Sequence, residues 1–489
     1  MTVNYIDNKH VSKDVINNLP FNPTNDQESV SIHLGAFTLS KKINPVYILK
    51  GYAGTGKTSM LSAYVQTLKN LNINFLLLAP TGRAAKVLAQ YTKHEAHTIH
   101  RSIYQFITNK EGVTNTTITY NKLNNSVFII DEASMIGDNS QINNYVFNKS
   151  SLLDDVMQFV FSQRGNKLIL VGDTAQLPPV GTILSPALDI NTLNNSYSIT
   201  SFDFEMKEVM RQSLDSGILI SATTLRTKIK NNNTSFPFFN INDNSEDVTI
   251  IKDAGTFEEL LIDSFTGSEM EDGIIICRSN KQANIYNNEI RNRILMRETE
   301  IDAGDLLMVV KNNYHWLNIE SNIGFIANGD IIKIVRFKQI EELYGFRFAD
   351  VDIMLIDYPE EKEINVKLLL DTITTNAPGL LEEDNKKLFE NVEKEYMDYP
   401  NRRTRINKIK ANPYFNALQV KFSYAMTCHK TQGGQWQNVF IDKGFIKDNT
   451  VDIEYLRWLY TAVTRATNKL YLIGFESDYF EENELNQHP

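Results

Sequence analysis

The segment Gly51-Tyr-Ala-Gly-Thr-Gly-Lys-Thr58 constrains this chain more than any other. It fits G-x-x-x-x-G-K-[ST], follows the apolar run Val46-Tyr-Ile-Leu49, and precedes Ser59–Leu68, whose apolar spacing suits a helix. A strand, a glycine loop and a helix in that order imply a phosphate-cradling loop. The loop is expected to turn its backbone N–H groups around an anion, and the helix N-terminus adds its positive dipole. Gly51, Ala53, Gly54, Thr55, Gly56 and Ser59 are therefore expected around a bound nucleotide, ATP by preference. Lys57 is expected on the β- and γ-phosphates, and the Thr58 hydroxyl on Mg²⁺.

At 489 residues the chain exceeds one core, and about three domains of ~150 residues are expected. Its 42% hydrophobic and 22% charged residues are ordinary for a globular protein. No run of about 18 apolar residues predicts a membrane span. The N-terminal residues lack the basic-then-apolar pattern of a secretory signal. Cys277 and Cys428 lie in no paired C-x-x-C spacing, which argues against a disulfide framework or a zinc site and favours a reducing cytoplasm. The net charge of −10, from 49 basic and 59 acidic residues, argues only weakly against a nucleic-acid partner, since a basic track can coexist with an acidic surface.

Val46–Leu49, Phe75–Ala79, Val127–Ile130 and Lys167–Val171 read as strands of a parallel sheet buried on both faces. Each ends in a chemically marked loop, where open α/β sheets bind ligands. The polar, Thr- and Asn-rich stretch 106–125 reads as a projecting β-hairpin. A second α/β segment starts near Ser201, with Gly273–Cys277 as a buried strand, and resumes over Val439–Gly474. Between its halves, short alternating runs over 296–415 predict a small β-barrel insertion, with a charged, partly helical stretch at Leu380–Lys410.

Asp131-Glu132 follows a strand run directly. The aspartate is placed to hold Mg²⁺ through its water shell, and the glutamate to polarise an attacking water. Gln176, in Gly172-Asp-Thr-Ala-Gln-Leu-Pro-Pro179, is able to bond a phosphate oxygen and a water together. Gln27 carries an amide of the kind that pairs with adenine N6 and N7. His97, His100 and His429 have no carboxylate or cysteine at ligand spacing, so structural bonding or nucleic-acid contact is preferred over metal. Tyr104, Phe106 and Trp436 suit either base stacking or a core.

In this order the motifs resemble those of superfamily 1B DNA helicases, the RecD-like and phage Dda-like branch, from about Pro20 to Gly474. Gln27 matches the Q motif and Gly51–Thr58 motif I. Ala79-Pro-Thr-Gly-Arg-Ala-Ala85 is similar to motif Ia, and Thr98-Ile-His100 to the next DNA-contacting motif. Asp131-Glu-Ala-Ser134 resembles motif II and Gly172–Pro179 motif III. Arg211 falls where motif IV places a γ-phosphate arginine. Thr427-Cys-His-Lys-Thr-Gln-Gly433 resembles motif V, and Tyr460–Ala466 motif VI, with Arg465 as the finger. Asn328-Gly-Asp330 resembles the entry to the SH3-like insertion of this branch.

The resemblance implies two RecA-like lobes with parallel sheets. Lobe 1A is expected over 1–105 and 126–200, the hairpin pin 1B over 106–125, lobe 2A over 201–295 and 416–489, and the SH3-like barrel 2B over 296–415. It implies Lys57, Asp131, Glu132, Gln176, Arg211 and Arg465 as catalytic residues, with ATP and Mg²⁺. It also implies single-stranded DNA along Pro80, Thr81, Gly82, Arg83, Thr98, His100, Thr427, His429, Lys430 and Gln432. A monomeric 5′→3′ motor on forked DNA is expected, with no membrane partner and no nuclease signature. A single-strand translocase or RNA-directed relative with the same engine remains open, as does a non-catalytic ATP-gated module.

Overall fold

The computed structural model describes residues 7–108, 114–137, 151–209, 216–239, 247–266, 272–317, 324–446, 451–475 and 479. Strands β1 (Pro45–Gly51), β2 (Phe75–Ala79) and β3 (Ala96–Thr98) lead into a hairpin of β4 (Tyr104–Thr108) and β5 (Thr114–Ile118). Strands β6 (Val127–Ile130), β7 (Lys167–Gly172) and β8 (Thr200–Met206) follow. Six of these form a parallel sheet in the order β3-β2-β6-β7-β1-β8. Side chains of β1 alternate between two cores: Tyr47 and Leu49 pack with the P-loop helix Lys57–Asn70, Val46 and Ile48 with the opposite layer. Burial on both faces explains the unbroken apolar run, each side chain contributing about 1.5–3 kcal/mol.

Strands β9 (Val248–Ile251) and β10 (Gly273–Cys277) open a second unit. The chain then leaves it for β11 (Leu306–Val309), β12 (Ile331–Leu343), β13 (Phe346–Leu355), β14 (Ile364–Leu369) and β15 (Leu418–Phe422), which close into a barrel. It returns through β16 (Ala425–Thr427), β17 (Trp436–Asp442) and β18 (Ala466–Ile473), giving a second parallel sheet in the order β16-β10-β17-β18-β9. Barrel and sheet share one buried core that joins Leu307 and Val351 to Ile275 and Phe440. The lead-in is locked by fully buried Asp305, which accepts from Arg291 Nε and Nη2, each at 3.0 Å, and from Tyr424 Oη at 3.1 Å.

Two strands fall across boundaries expected from sequence. β8 adds to the first sheet beside β1, so that sheet runs to Met206 and past 200. β15, which closes the barrel, lies beyond 415. The hairpin pairs from Tyr104↔Ile118 to Thr108↔Thr114, two residues before its expected start. The charged stretch Leu380–Lys410 contains two helices, Glu382–Glu393 and Arg402–Ala411. Their apolar residues Leu388, Val392 and Ile409 cover Phe346, Phe348 and Leu369 of the barrel, which explains why so charged a segment folds. No described helix is long and apolar enough to cross a membrane.

Candidate nucleotide site and interlobe cleft

The order of the first sheet aligns three marked strand ends. β7 lies between β1 and β6, so the P-loop, the Gly172–Pro179 loop and Asp131-Glu132 emerge side by side. The P-loop helix begins at Gly56, with φ +82° and no side-chain cap. Gly54 also takes a left-handed φ of +75°. A side chain at either position is strained, which is why glycine recurs here. A Cβ on Gly51 would meet Lys57 Cγ at 2.9 Å, so the lysine folds directly over the loop. Lys57 Nζ donates to the Gly51 carbonyl at 2.5 Å and the Tyr52 carbonyl at 2.9 Å. Thr58 is exposed at the helix start, and Ser59 is half-buried beside it.

Asp131 is bonded on both oxygens. Glu132 N donates to Oδ1 at 2.9 Å, and the Tyr91 hydroxyl donates to Oδ2. Burial pushes the Asp131 and Glu132 carboxyls upward. For Asp131 the Tyr91 bond and Lys57 oppose this; for Glu132 the nearby Arg465 does. Glu132 holds a left-handed backbone, φ +51° and ψ +37°, uncommon outside glycine and a form of strain found at working sites. Gln176 is buried, and its side-chain oxygen has no hydrogen-bond partner among the described residues. A cationic loop, two adjacent carboxylates and an orphaned acceptor fit a nucleotide with Mg²⁺, with Thr58 and Asp131 as the metal-side groups.

Arg465 comes from the opposite sheet. It lies at the end of the helix Ile453–Val463 and is 3% exposed. Its Nε and Nη1 donate to the carbonyls of Thr461 and Gly434 at 3.0 and 3.1 Å, aiming the guanidinium while its charge is felt at Glu132. Arg211, expected as its companion, lies outside the described residues.

Gln27 is placed differently from expectation. It is fully buried, accepts from Thr24 N at 3.0 Å in a capping box, and donates to the Thr55 carbonyl at 3.4 Å. Its amide braces the P-loop from behind, and facing a base requires the Thr55 bond to open. The expected DNA-contacting residues divide in two. Thr81 caps the helix Gly82–Thr92, Arg83 lies 4.0 Å over the Trp436 ring across the cleft, and Pro80 precedes them. Thr427 starts the turn that carries exposed His429 and half-buried Lys430, whose ammonium burial pushes down to about 8. Thr81 and Arg83 belong to the first lobe, and Thr427, His429 and Lys430 to the second.

The others serve packing. Thr98 is a buried helix cap, Gly82 is buried against Asp330 and Tyr358, and Gln432 is buried and donates to the Leu177 carbonyl at 2.6 Å. His100 lies between the Tyr104 and Phe325 rings, and burial drives its imidazole down to about 4, so it is neutral. Tyr104 donates to Asp155 at 2.6 Å and Trp436 is 4% exposed, so both are core residues. The side chain of Phe106 lies outside the described residues. Sequence reading missed Tyr91 on Asp131; its helical position facing the sheet was the available signal.

Two family models match this chain: an AAA domain over residues 38–182 and a UvrD-like helicase C-terminal domain over 422–473. They fall on the first sheet with its P-loop and on the second with its arginine. These matches, with the relatives below, support the superfamily 1B helicase resemblance carried by the motif order. This helicase is 25% identical over 495 residues to an uncharacterised protein of Acanthamoeba polyphaga mimivirus, covering 88% of this chain and 96% of that one. It is 34% identical over 136 residues to the ATP-dependent RecD2 DNA helicase of Deinococcus radiodurans, covering 27% of this chain and 16% of that protein. Its fold is also similar to a crystal structure of Pif1 helicase from Candida albicans, with a TM-score of 0.44 and 16% identity over 95% of this chain and 97% of that one. As a helicase of this class it is a P-loop NTPase.

Proposed function

We propose that this helicase hydrolyses ATP to move 5′→3′ along single-stranded DNA and to part a duplex ahead of it. The observation that carries the reading is the convergence on one cleft of Lys57, Asp131, Glu132 and Gln176 from the first lobe and Arg465 from the second. Lys57 neutralises phosphate charge, Glu132 accepts the proton of the attacking water, and Gln176 orients that water against the phosphate. Mg²⁺, held through Thr58 and Asp131, supplies the charge that binds the phosphates. Arg465, and Arg211 with it, stabilises charge on the transferring phosphoryl group, a contribution of roughly 10³–10⁵ in rate for such fingers.

Because opposite walls of the cleft belong to different lobes, a contact made by both closes it, and its loss on hydrolysis reopens it. Thr81 and Arg83 on one lobe, with Thr427, His429 and Lys430 on the other, then grip the strand in alternation. The hairpin β4–β5 acts as the wedge, and the barrel braces it: His100 beside the hairpin packs on Phe325 at the barrel's entry. One chain supplies both walls, so a monomer suffices. The identity to a RecD2 DNA helicase supports DNA as the track.

The test is unwinding of forked duplexes bearing only a 5′ or only a 3′ single-stranded tail, with ATP hydrolysis followed in parallel. Unwinding confined to the 5′-tailed fork is expected. Hydrolysis stimulated by the tail without strand separation would make the chain a translocase and remove the wedge role from the hairpin.

A further inference from the structure

Tyr460, on the helix Ile453–Val463 of the second lobe, reaches across the cleft and is fully buried. Its hydroxyl accepts from the Ala53 N–H of the P-loop at 2.9 Å and donates to Asp173 Oδ2 at 2.6 Å. The same helix face carries Arg457 and Thr461, three residues before and one after, as helical spacing requires. Arg457 Nη1 donates to the carbonyls of Thr174 and Gln176, and Thr461 Oγ1 accepts from Leu177 N at 2.8 Å. Five bonds thus tie one helix to the P-loop and to the loop that bears Gln176. That helix also carries Arg465, whose Nε donates to the Thr461 carbonyl.

Ala53 N–H belongs to the loop whose amides surround phosphate, and a single N–H serves one good acceptor at a time. We infer that Tyr460 is a positioning residue that couples phosphate binding to movement of the arginine-bearing helix, because its hydroxyl and a nucleotide phosphate oxygen contend for the Ala53 N–H. This rests on the ATP-driven reading above. A phosphate oxygen is anionic, and a charge-assisted bond is roughly twice as strong as a neutral one, so phosphate takes the amide. The hydroxyl and the phosphate oxygen have no room to share that position at hydrogen-bond distance. The ring is held on a helix, so displacing the hydroxyl shifts Arg457, Thr461 and Arg465 together. Burial keeps the phenol protonated, so its bond to Asp173 persists as the pivot. Leu219 fixes the loop from the same side: its Cδ1 lies 2.7 Å from where a Cβ on Gly54 would stand.

The experiment compares wild type, Tyr460→Phe and Thr461→Val for equilibrium binding of a non-hydrolysable ATP analogue with Mg²⁺, and for KM and kcat of single-strand-stimulated hydrolysis. Tyr460→Phe removes the competing oxygen, so analogue binding tightens ~3–10-fold, the worth of one neutral hydrogen bond, while kcat falls. Thr461→Val loosens the same interface without touching Ala53 and does not tighten binding. A purely structural tyrosine would weaken binding and turnover together. Unchanged or weaker binding by Tyr460→Phe, or equal tightening by Thr461→Val, overturns the proposal. Hydrogen exchange on the wild-type protein keeps it testable if a variant misfolds: saturating analogue should raise exchange across 453–465, and no rise, or a fall, overturns it. Failure of the wild type to bind the analogue at all refutes the ATP reading itself.

Discussion

At the residue scale, chemistry concentrates where backbone and burial are least ordinary. Glu132 combines a left-handed backbone with a carboxyl raised by burial, the condition of a group poised to take a proton. Glu132→Gln is expected to lower single-strand-stimulated hydrolysis by ~10²–10⁴-fold while nucleotide still binds, read by steady-state phosphate release beside equilibrium binding. Lys57→Ala removes the only Lys or Arg side chain of the P-loop, and a loss of at least ~10²-fold in hydrolysis with single-strand binding retained is expected. Undiminished hydrolysis by that variant would sink the site assignment. The motif residues were legible in the sequence because each has a fixed place in a strand–loop–helix unit. The bond from Tyr91 to Asp131 and the burial of Gln27 were not, since both depend on how a helix lies against the sheet.

At the element scale, the barrel meets the first lobe where Gly82 begins its helix. A Cβ there would lie 2.9 Å from both Asp330 Oδ1 and the Tyr358 hydroxyl. Burial, with Asp357 nearby, pushes the Asp330 carboxyl up to about 7, although Ala327 N bonds it. Neither Asp330 Oδ1 nor Asp357 Oδ2 has a partner among the described residues. Between the ordinary value of 3.8 and about 7 the folded state therefore holds a proton that the unfolded chain has released. Stability from this group is full at low pH and falls as pH rises through that window. Asp330→Asn keeps an acceptor for Ala327 and adds a donor beside Asp357. It is expected to gain ~1–3 kcal/mol over wild type at pH 8 and little at pH 4, measured by thermal or urea melts. An unchanged difference across pH would exclude Asp330 as the titrating group. The alternating barrel runs were legible from their period of two. The covering helices were not, since their three inward apolar residues are diluted by charge.

At the whole-molecule scale, one buried cluster crosses the cleft, joining Tyr52, Ala175 and Leu177 of the first lobe to Trp436, Leu459 and Tyr460 of the second. Arg226 over the Tyr52 ring at 4.6 Å and Gln432 on Leu177 extend it. Cys428 lies in this cluster and Cys277 in the core shared by barrel and second sheet; both thiols are buried, at 0% exposure for Cys277 and 1% for Cys428, and burial raises their pKa. Thiol titration with a disulfide reagent is expected to leave both unreacted in the native protein and to release two equivalents on unfolding. Fast reaction of one thiol under native conditions would show that the second lobe opens more readily than its packing implies.

The sequence alone determined the strand–loop–helix units, the parallel sheets and the candidate residues for phosphate contact. Those features follow from local periodicity, from glycine's access to left-handed backbone and from charge at strand ends. Tertiary structure decided which candidates face the cleft and which became packing: Thr98, His100 and Gln432 are consumed by capping, aromatic contact and an interlobe bond. It also decided that Tyr460, hundreds of residues from the P-loop, shares an amide with it. The reason is that a hydrogen bond between lobes depends on the distance left when two separately folded cores meet, and no local pattern encodes that distance.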